Sequence, residues 1–221
     1  MWRLRQLARR TGRHVQTYRQ NRRLVARQHA WETLLKDAGQ GQGEPVLIHV
    51  GCGDIQAQGF INIDARKKPH VHIVTTNLFR LEMIPSEVAD LIYMSHVLEH
   101  VGHRDVVATL TEMQRLLRPG GVLRVSVPDF DHIVAVYKAT SGDVAAIEQP
   151  LMGGQDYPFN FHFSVFNERH LQAKMLKSGF QSTRTWDPLR CEHHNFEDWA
   201  SMNINWRGQE FPISLNIEAI K

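Results

Sequence analysis

Cysteine is scarce in this chain. Cys52 and Cys191 are the two among 221 residues. Two thiols cannot build a disulfide framework or a Cys-based zinc site, so a reduced, cytoplasmic setting is expected. Long apolar runs are missing too. No stretch approaches the ~18 residues that a transmembrane helix needs. The N-terminus is rich in arginine with only isolated apolar residues, so no secretory signal is expected there. Acidic residues are absent from positions 1–31, which carry nine arginines. That segment holds +9, the remaining residues hold −6, and the formal net charge is +3. The basic character belongs to the extension, which argues against a uniformly basic nucleic-acid-binding body.

What is present is ordinary for a globular protein with a real core: 42% hydrophobic and 22% charged residues. The length fits one domain, or one domain plus an extension. Leu4, Leu7, Val15, Tyr18, Leu24, Val25, Trp31, Leu34 and Leu35 recur at helical spacing among the arginines. They predict a basic amphipathic helix over roughly 2–36. It either packs on the main domain or a second subunit, or lies on an anionic membrane surface. An Arg-rich, acid-poor transit peptide has the same character. Gly39, Gly41 and Gly43 alternate with glutamine in a linker. The expected organisation is therefore a basic helical extension and Gly/Gln linker at 1–44, followed by one domain at 45–221.

From Pro45 the pattern alternates strand and helix. Short apolar runs at 46–50, 60–63, 71–74, 91–94 and 122–127 read as buried parallel strands. Val106, Val107, Leu110, Met113, Leu116 and Leu117 share one face of a predicted helix over 104–117. Arg118-Pro119-Gly120-Gly121 stops it. Asn167 caps a second helix ending at Lys177, with Gly179 beyond. Residues 180–186 and 213–219 read as two last strands. The expected class is α/β, with a mostly parallel sheet and helices on both faces.

The end of the first strand, Val50-Gly51-Cys52-Gly53, is the most informative place. Ligands of open α/β sheets bind beyond the carboxyl ends of the strands, and glycines there admit close approach. Asp64 ends the second strand, where a carboxylate can accept from both hydroxyls of a ribose. Gln56 stands where a dinucleotide fingerprint has its third glycine, which argues against a dinucleotide.

The ordered set V-G-C-G (50–53), N-I-D-A (62–65), A-D-L-I-Y-M-S-H-V-L-E-H-V (89–101) and L-R-P-G-G-V-L-R-V-S-V-P-D (117–129) resembles the class I S-adenosylmethionine-dependent methyltransferases. Within them the chain is most similar to small methyltransferases of polysaccharide and lipopolysaccharide gene clusters. G-G-Q-D-Y-P-F-N-F-H (153–162) and P-I-S-L-N-I-E-A (212–219) add to that likeness. The resemblance implies a Rossmann-like, seven-stranded sheet with the last strand antiparallel, and S-adenosyl-L-methionine as cofactor. Gly51, Cys52 and Gly53 would pass under it, and Asp64 would take the ribose. Asn77 would meet the adenine amino group, where many relatives have an acid, and Leu78 would flank the ring. Ser95 and His96 would face the methyl group. Only ten residues separate Gly53 from Asp64, so a truncated first helix is expected.

Methyl transfer from a sulfonium needs alignment, and a base if the acceptor is a hydroxyl. Thirteen histidines supply candidates. His96 and His162 are the two placed for catalysis or substrate contact. Their alternatives are a pocket wall and a packed lid. Asp129 and His132 are candidate substrate contacts at the same sheet edge. Glu99 and His100 read as structural, and His193-His194 as a surface loop. His96, His100 and His103 lie near one another in sequence, but no acid or third ligand is convincingly placed with them, so no metal is expected. Residues 128–166 read as a substrate-covering insert whose aromatics suit sugar rings or a plain core. Its Gly153-Gly154 is a candidate hinge. A motif of the Asn/Asp-Pro-Pro-Tyr type is missing after the fourth strand, which tilts the acceptor towards oxygen. The expected activity is methyl transfer to a hydroxyl of a glycan, nucleotide sugar or lipid-linked saccharide, with possible peripheral membrane contact through 2–36. A non-catalytic cofactor-binding scaffold and an RNA methyltransferase are the alternatives, and nucleic acid is disfavoured by the main domain's charge.

Overall fold

The computed structural model describes residues 28–41 and 43–221. The expected N-terminal helix falls mostly outside these residues. Its end, α1, is helical over 28–37. Nine strands follow: β1 (Leu47–Val50), β2 (Phe60–Asp64), β3 (Ile73–Val74), β4 (Ala89–Ser95), β5 (Leu117–Pro128), β6 (Ser182–Thr185), β7 (Asn203–Trp206), β8 (Gln209–Pro212) and β9 (Ser214–Ile220). The further helices are α2 (Val106–Leu116), α3 (Phe130–Ala139), α4 (Glu148–Met152) and α5 (Glu168–Lys177), with a 3-10 turn at Leu98–His100.

Seven strands form one sheet in the order β3-β2-β1-β4-β5-β9-β6. β1 to β5 pair in parallel, and β9 runs antiparallel between β5 and β6. This is the Rossmann-like methyltransferase topology that the resemblance implies. Period-two alternation places the core. Ile48, Val50, Ile92, Met94, Leu123, Val125 and Ile217 face one side with Trp31 of α1, Leu110 and Met113 of α2, and Leu171 and Met175 of α5. Leu47, Leu91 and Tyr93 face the other, where Phe60, Trp186 and Ala200 join them.

Local differences from the sequence reading have local causes. α2 stops at Leu116, and Leu117 is already extended (φ −68°, ψ 141°) and paired with Ala89. β5 therefore begins before the Pro-Gly-Gly segment rather than after it. A Cβ on Gly121 would stand 2.9 Å from the Ala89 carbonyl oxygen, so glycine lets the two strands meet there. No helix forms between β1 and β2, where the chain makes turns, as the ten-residue spacing predicts. The hairpin β7–β8 was not expected. Arg207 (φ 51°) and Gly208 (φ 85°) form its two-residue turn, both left-handed as such hairpins require. Gly153 is approached closely by the Asn160 backbone and Gly154 by the Asn160 side chain. A Cβ on Gly153 would lie 2.5 Å from the Asn160 carbonyl oxygen. Among the described residues no helix is long and apolar enough to cross a membrane.

Candidate functional site

Two connected cavities open beyond the carboxyl ends of β1, β2 and β4. The first, about 300 Å³, is lined by Gly51, Gly53, Asp64, Leu78, Phe79 and Phe159 among others. The second, about 430 Å³, takes in Cys52, Ser95, Glu99, His162, Asp198 and Trp199. Gly51, Gly53, Arg66, His96, His100 and Tyr157 border both.

The first cavity is built by the β1 turn folding against β2. The Gly51 and Cys52 N–H groups donate to the Ile63 carbonyl at 2.7 and 3.1 Å. Gly51 (φ 68°) and Gly53 (φ 57°) are both left-handed. The Gly53 N–H donates to Asp64 Oδ2 and the Arg66 N–H to Asp64 Oδ1, both at 2.8 Å. The carboxylate is thereby fixed in place before any ligand arrives. Each of its oxygens keeps a lone pair for a hydroxyl. Leu78 and Phe79 offer flat or apolar walls beside it. Cys52 is 1% exposed, and burial, then the Asp64 charge, push its thiol up to about 12. It is a packed wall of this turn and no nucleophile.

Three residues expected at the site line neither cavity. Asn77 is missing from both linings: its Oδ1 accepts the Phe79 N–H at 3.1 Å and closes a turn. Asp129 caps α3, its Oδ1 accepting the Asp131 N–H at 3.0 Å, and lines neither cavity. His132 sits 3.8 Å from Asp129 on that helix and is likewise outside.

The second cavity gathers groups from distant segments. His96 has φ 51°, an uncommon conformation for a non-glycine, and turns the chain out of β4. Its Nε2 lies 2.8 Å from Ser214 Oγ, whose hydroxyl donates to the Trp199 carbonyl. Nε2–H therefore donates to Ser214. Nδ1 lies 3.2 Å from Glu99 Oε1. Both ring nitrogens thus face protein partners. His162 differs. Its Nδ1 lies 3.1 Å from the Pro150 carbonyl, so Nδ1 carries the proton and Nε2 keeps its lone pair. Burial, together with His100 and His96, lowers its pKa against the pull of Glu99. His100 is arranged alike, with Nδ1 3.0 Å from the Phe161 carbonyl. Glu99 is 1% exposed. Burial opposes its charge, but His96, His100 and His162 outweigh burial and hold its carboxyl below the usual range. Glu99, His100 and His162 present ligand-type atoms all within 4.8 Å of one another. The sequence places Glu99 and His162 far apart, and only their meeting point shows them as a set.

Behind the second cavity lies a buried polar nest. Tyr93 donates to Asp198 Oδ2, and His194 lies 3.8 Å from Asp198 Oδ1. The His194 side chain is 3% exposed, so the expected surface loop turns inward here. Its ring packs against Tyr93, Trp186 and Phe196, whose apolar surface outweighs the polar character of the segment. His49 stacks on Phe196 with centroids 5.6 Å apart and planes at 13°. Burial pushes its pKa down to about 4, His194 and His70 adding to burial while Asp198 and Asp64 oppose it. The unfolded chain takes up this proton near pH 6.5, whereas the folded chain refuses it until about 4. Stability from this residue is complete above pH 6.5 and falls as pH drops towards 4, by about 3 kcal/mol in all. Urea unfolding between pH 7.5 and 4.5 should show a shallower loss for His49→Phe than for wild type. Parallel curves would contradict this.

A family model described as a methyltransferase domain matches residues 12–185. No curated protein matches the sequence. Among solved structures, the fold is similar to that of a SAM-dependent methyltransferase from Archaeoglobus fulgidus, with a TM-score of 0.51, 15% identity, and coverage of 90% of this chain and 94% of that one. A SAM-dependent methyltransferase from Thermotoga maritima, described as a possible histamine N-methyltransferase, gives 0.49 and 16%, covering 93% and 95%. The Burkholderia thailandensis 1,6-didemethyltoxoflavin-N1-methyltransferase with bound S-adenosylhomocysteine gives 0.49 and 16%, covering 94% and 84%. By its sequence match across most of its length, carried on a sheet of this topology, the chain belongs to the methyltransferase-domain family.

Proposed function

We propose that this methyltransferase moves the methyl group of S-adenosylmethionine to an oxygen acceptor, a hydroxyl of a glycan, nucleotide sugar or lipid-linked saccharide. The observation that carries the reading is the joining of the Gly51–Asp64 cavity to a second cavity, lined by histidines and carboxylates, through six shared residues. The first suits the nucleoside. Asp64 would receive the ribose hydroxyls, and Leu78 with Phe79 would flank the adenine. Gly51 and Gly53 leave room beneath the donor, with Ser95 and His96 at the reacting end.

S-adenosylmethionine supplies an activated methyl: in one in-line displacement the S–C bond breaks with its pair kept by sulfur, the O–C bond forms, and the acceptor's proton is released. The chain must align the two partners at about 3–3.5 Å and exclude water. Tyr157 and Trp199 supply flat walls for a sugar ring. His96 is held by Ser214 and Glu99, so it positions, and Glu99, His100 and His162 line the side of the cavity from which the acceptor's proton would leave. The tilt to oxygen rests on the sequence's lack of the amino-group motif. The basic segment 2–36 would hold the enzyme at an anionic membrane surface where lipid-linked saccharides are made.

The test is transfer of label from methyl-tritiated S-adenosylmethionine to a panel of nucleotide sugars, oligosaccharides, amines and RNA. Label on a saccharide oxygen is the expected result. Label on amines alone would overturn the oxygen assignment, and label on RNA alone would overturn the saccharide acceptor.

A further inference from the structure

We propose that Glu99, His100 and His162 form a binding site for one divalent transition-metal ion of the zinc or ferrous type. Two imidazoles and one carboxylate bring their ligand atoms within 4.8 Å of one another. The hydrogen bonds around them fix the roles. Carbonyl oxygens can only accept, so the Phe161 and Pro150 carbonyls each hold an Nδ1–H and leave Nε2 of His100 and His162 as bare lone pairs. This is the arrangement metal-ligating histidines adopt, with the distal N–H tied to a carbonyl. The two rings meet edge to face, with centroids 4.9 Å apart.

The carboxylate supplies the second, independent observation. Neither oxygen of Glu99 makes a well-formed hydrogen bond, although the residue is 1% exposed. A buried carboxylate with an oxygen left unpaired is costly, and a cation offsets that cost. His96 Nδ1 approaches one oxygen at 3.2 Å, which leaves the other with nothing. The Phe163 and Ser164 N–H groups donate to the Glu99 backbone carbonyl at 2.8 and 3.1 Å. The loop that carries His162 is thus stitched to the turn that carries Glu99 and His100.

The chemistry selects the ion. Two imidazoles with one carboxylate suit zinc or ferrous iron, whereas magnesium and calcium prefer an all-oxygen shell. Ligands around such an ion stand roughly 3–3.5 Å apart, so binding asks the three atoms to draw in by up to roughly 1.5 Å. Three protein ligands leave a position open towards the cavity. Resting on the methyl-transfer reading, an acceptor hydroxyl would occupy that position, where the ion lowers its pKa and lets its proton leave to water.

Cobalt(II) substitutes for both ions and reports its ligands by visible absorption. The full chain, stripped by chelator and free of S-adenosylmethionine, is titrated with Co²⁺, then Zn²⁺, with Mg²⁺ as comparison. We expect one equivalent of Co²⁺ with visible bands, displaced by Zn²⁺ and unaffected by millimolar Mg²⁺. His162→Ala and His100→Ala should each weaken binding about 10-fold or more while keeping the wild-type circular dichroism spectrum. Glu99→Gln serves as third variant. Absence of a one-equivalent Co²⁺ signal, or binding undiminished in both histidine variants, overturns the proposal. Since no methyl donor is present, its failure is separate from failure of the transfer reading, which a titration with S-adenosylhomocysteine tests.

Discussion

Gly51→Ala should destabilise the protein by about 3 kcal/mol and abolish tight binding of the methyl donor. Two costs add. The residue sits at φ 68°, where a Cβ costs roughly 1–2 kcal/mol. The new Cβ would also lie 2.1 Å from Val97 Cγ2, which forces overpacking worth about 1–3 kcal/mol. Val97 lines the first cavity, so any shift that relieves the clash reshapes the place for the nucleoside. Val97→Ala removes the clashing methyl and leaves the φ cost. The double variant should therefore unfold at higher urea than Gly51→Ala alone. A double variant no more stable than the single one would show that Val97 is not the obstacle.

Glu218→Ala should cost about 3–5 kcal/mol, the usual range for stripping a buried ion of its partner. Glu218 lies directly across from Arg124 on β5 and from Arg184 on β6. Arg124 donates Nε and Nη2 to Glu218 Oε1 at 2.9 and 2.7 Å, and Arg184 Nε donates to Oε2 at 2.8 Å. Arg184 is exposed and can return to water. Arg124 is 7% exposed, packs over Trp186 at 5.0 Å, and would retain only the Glu192 carbonyl. At about 2–4 °C per kcal/mol for a domain of this size, the melting temperature should fall by roughly 10–15 °C. Replacing both partners, Arg124→Met with Glu218→Leu, should recover most of it, since the apolar pair needs no compensation. A fall of less than about 3 °C for Glu218→Ala would mean that water already reaches the pair. The strands concerned deliver Ser214 to the site, so softening here should also loosen the support of His96.

The parts of the fold that were legible share one property: their signal is local. β1, β2 and β5 carry apolar runs closed by glycine, aspartate or proline, and β4 is an apolar run that opens after Asp90. α5 starts where Asn167 accepts the His170 N–H, as its position predicts. The turn glycines and Asp64 stood out because strand ends in such sheets collect ligands. What escaped is set by distance. Glu99 and His162 meet only because the 153–166 loop returns to the 98–100 turn, and nothing in either segment names the other. Asn77 and Asp129 were placed correctly in chain order, but each is used by its neighbours' N–H groups, a competition that spacing does not reveal. The inward turn of His194 depends on an aromatic nest assembled from β1, β4 and the segment after β6. The β7–β8 hairpin could have been found. Asn203 to Trp206 alternate polar and apolar and Gly208 marks a turn, although Gln209-Glu210 break the alternation on the returning strand.

The central claim is that the Gly51–Asp64 turn holds a methyl donor. Calorimetric titration of the full chain with S-adenosylmethionine and S-adenosylhomocysteine, beside Asp64→Ala, tests it most directly. The account predicts one site per chain for wild type. It predicts at least about 100-fold weaker binding for the variant, because two charge-assisted hydrogen bonds of about 1.5–3 kcal/mol each are lost. A folded wild type that binds neither compound at millimolar concentration would contradict it, as would an Asp64→Ala variant that binds as tightly as wild type.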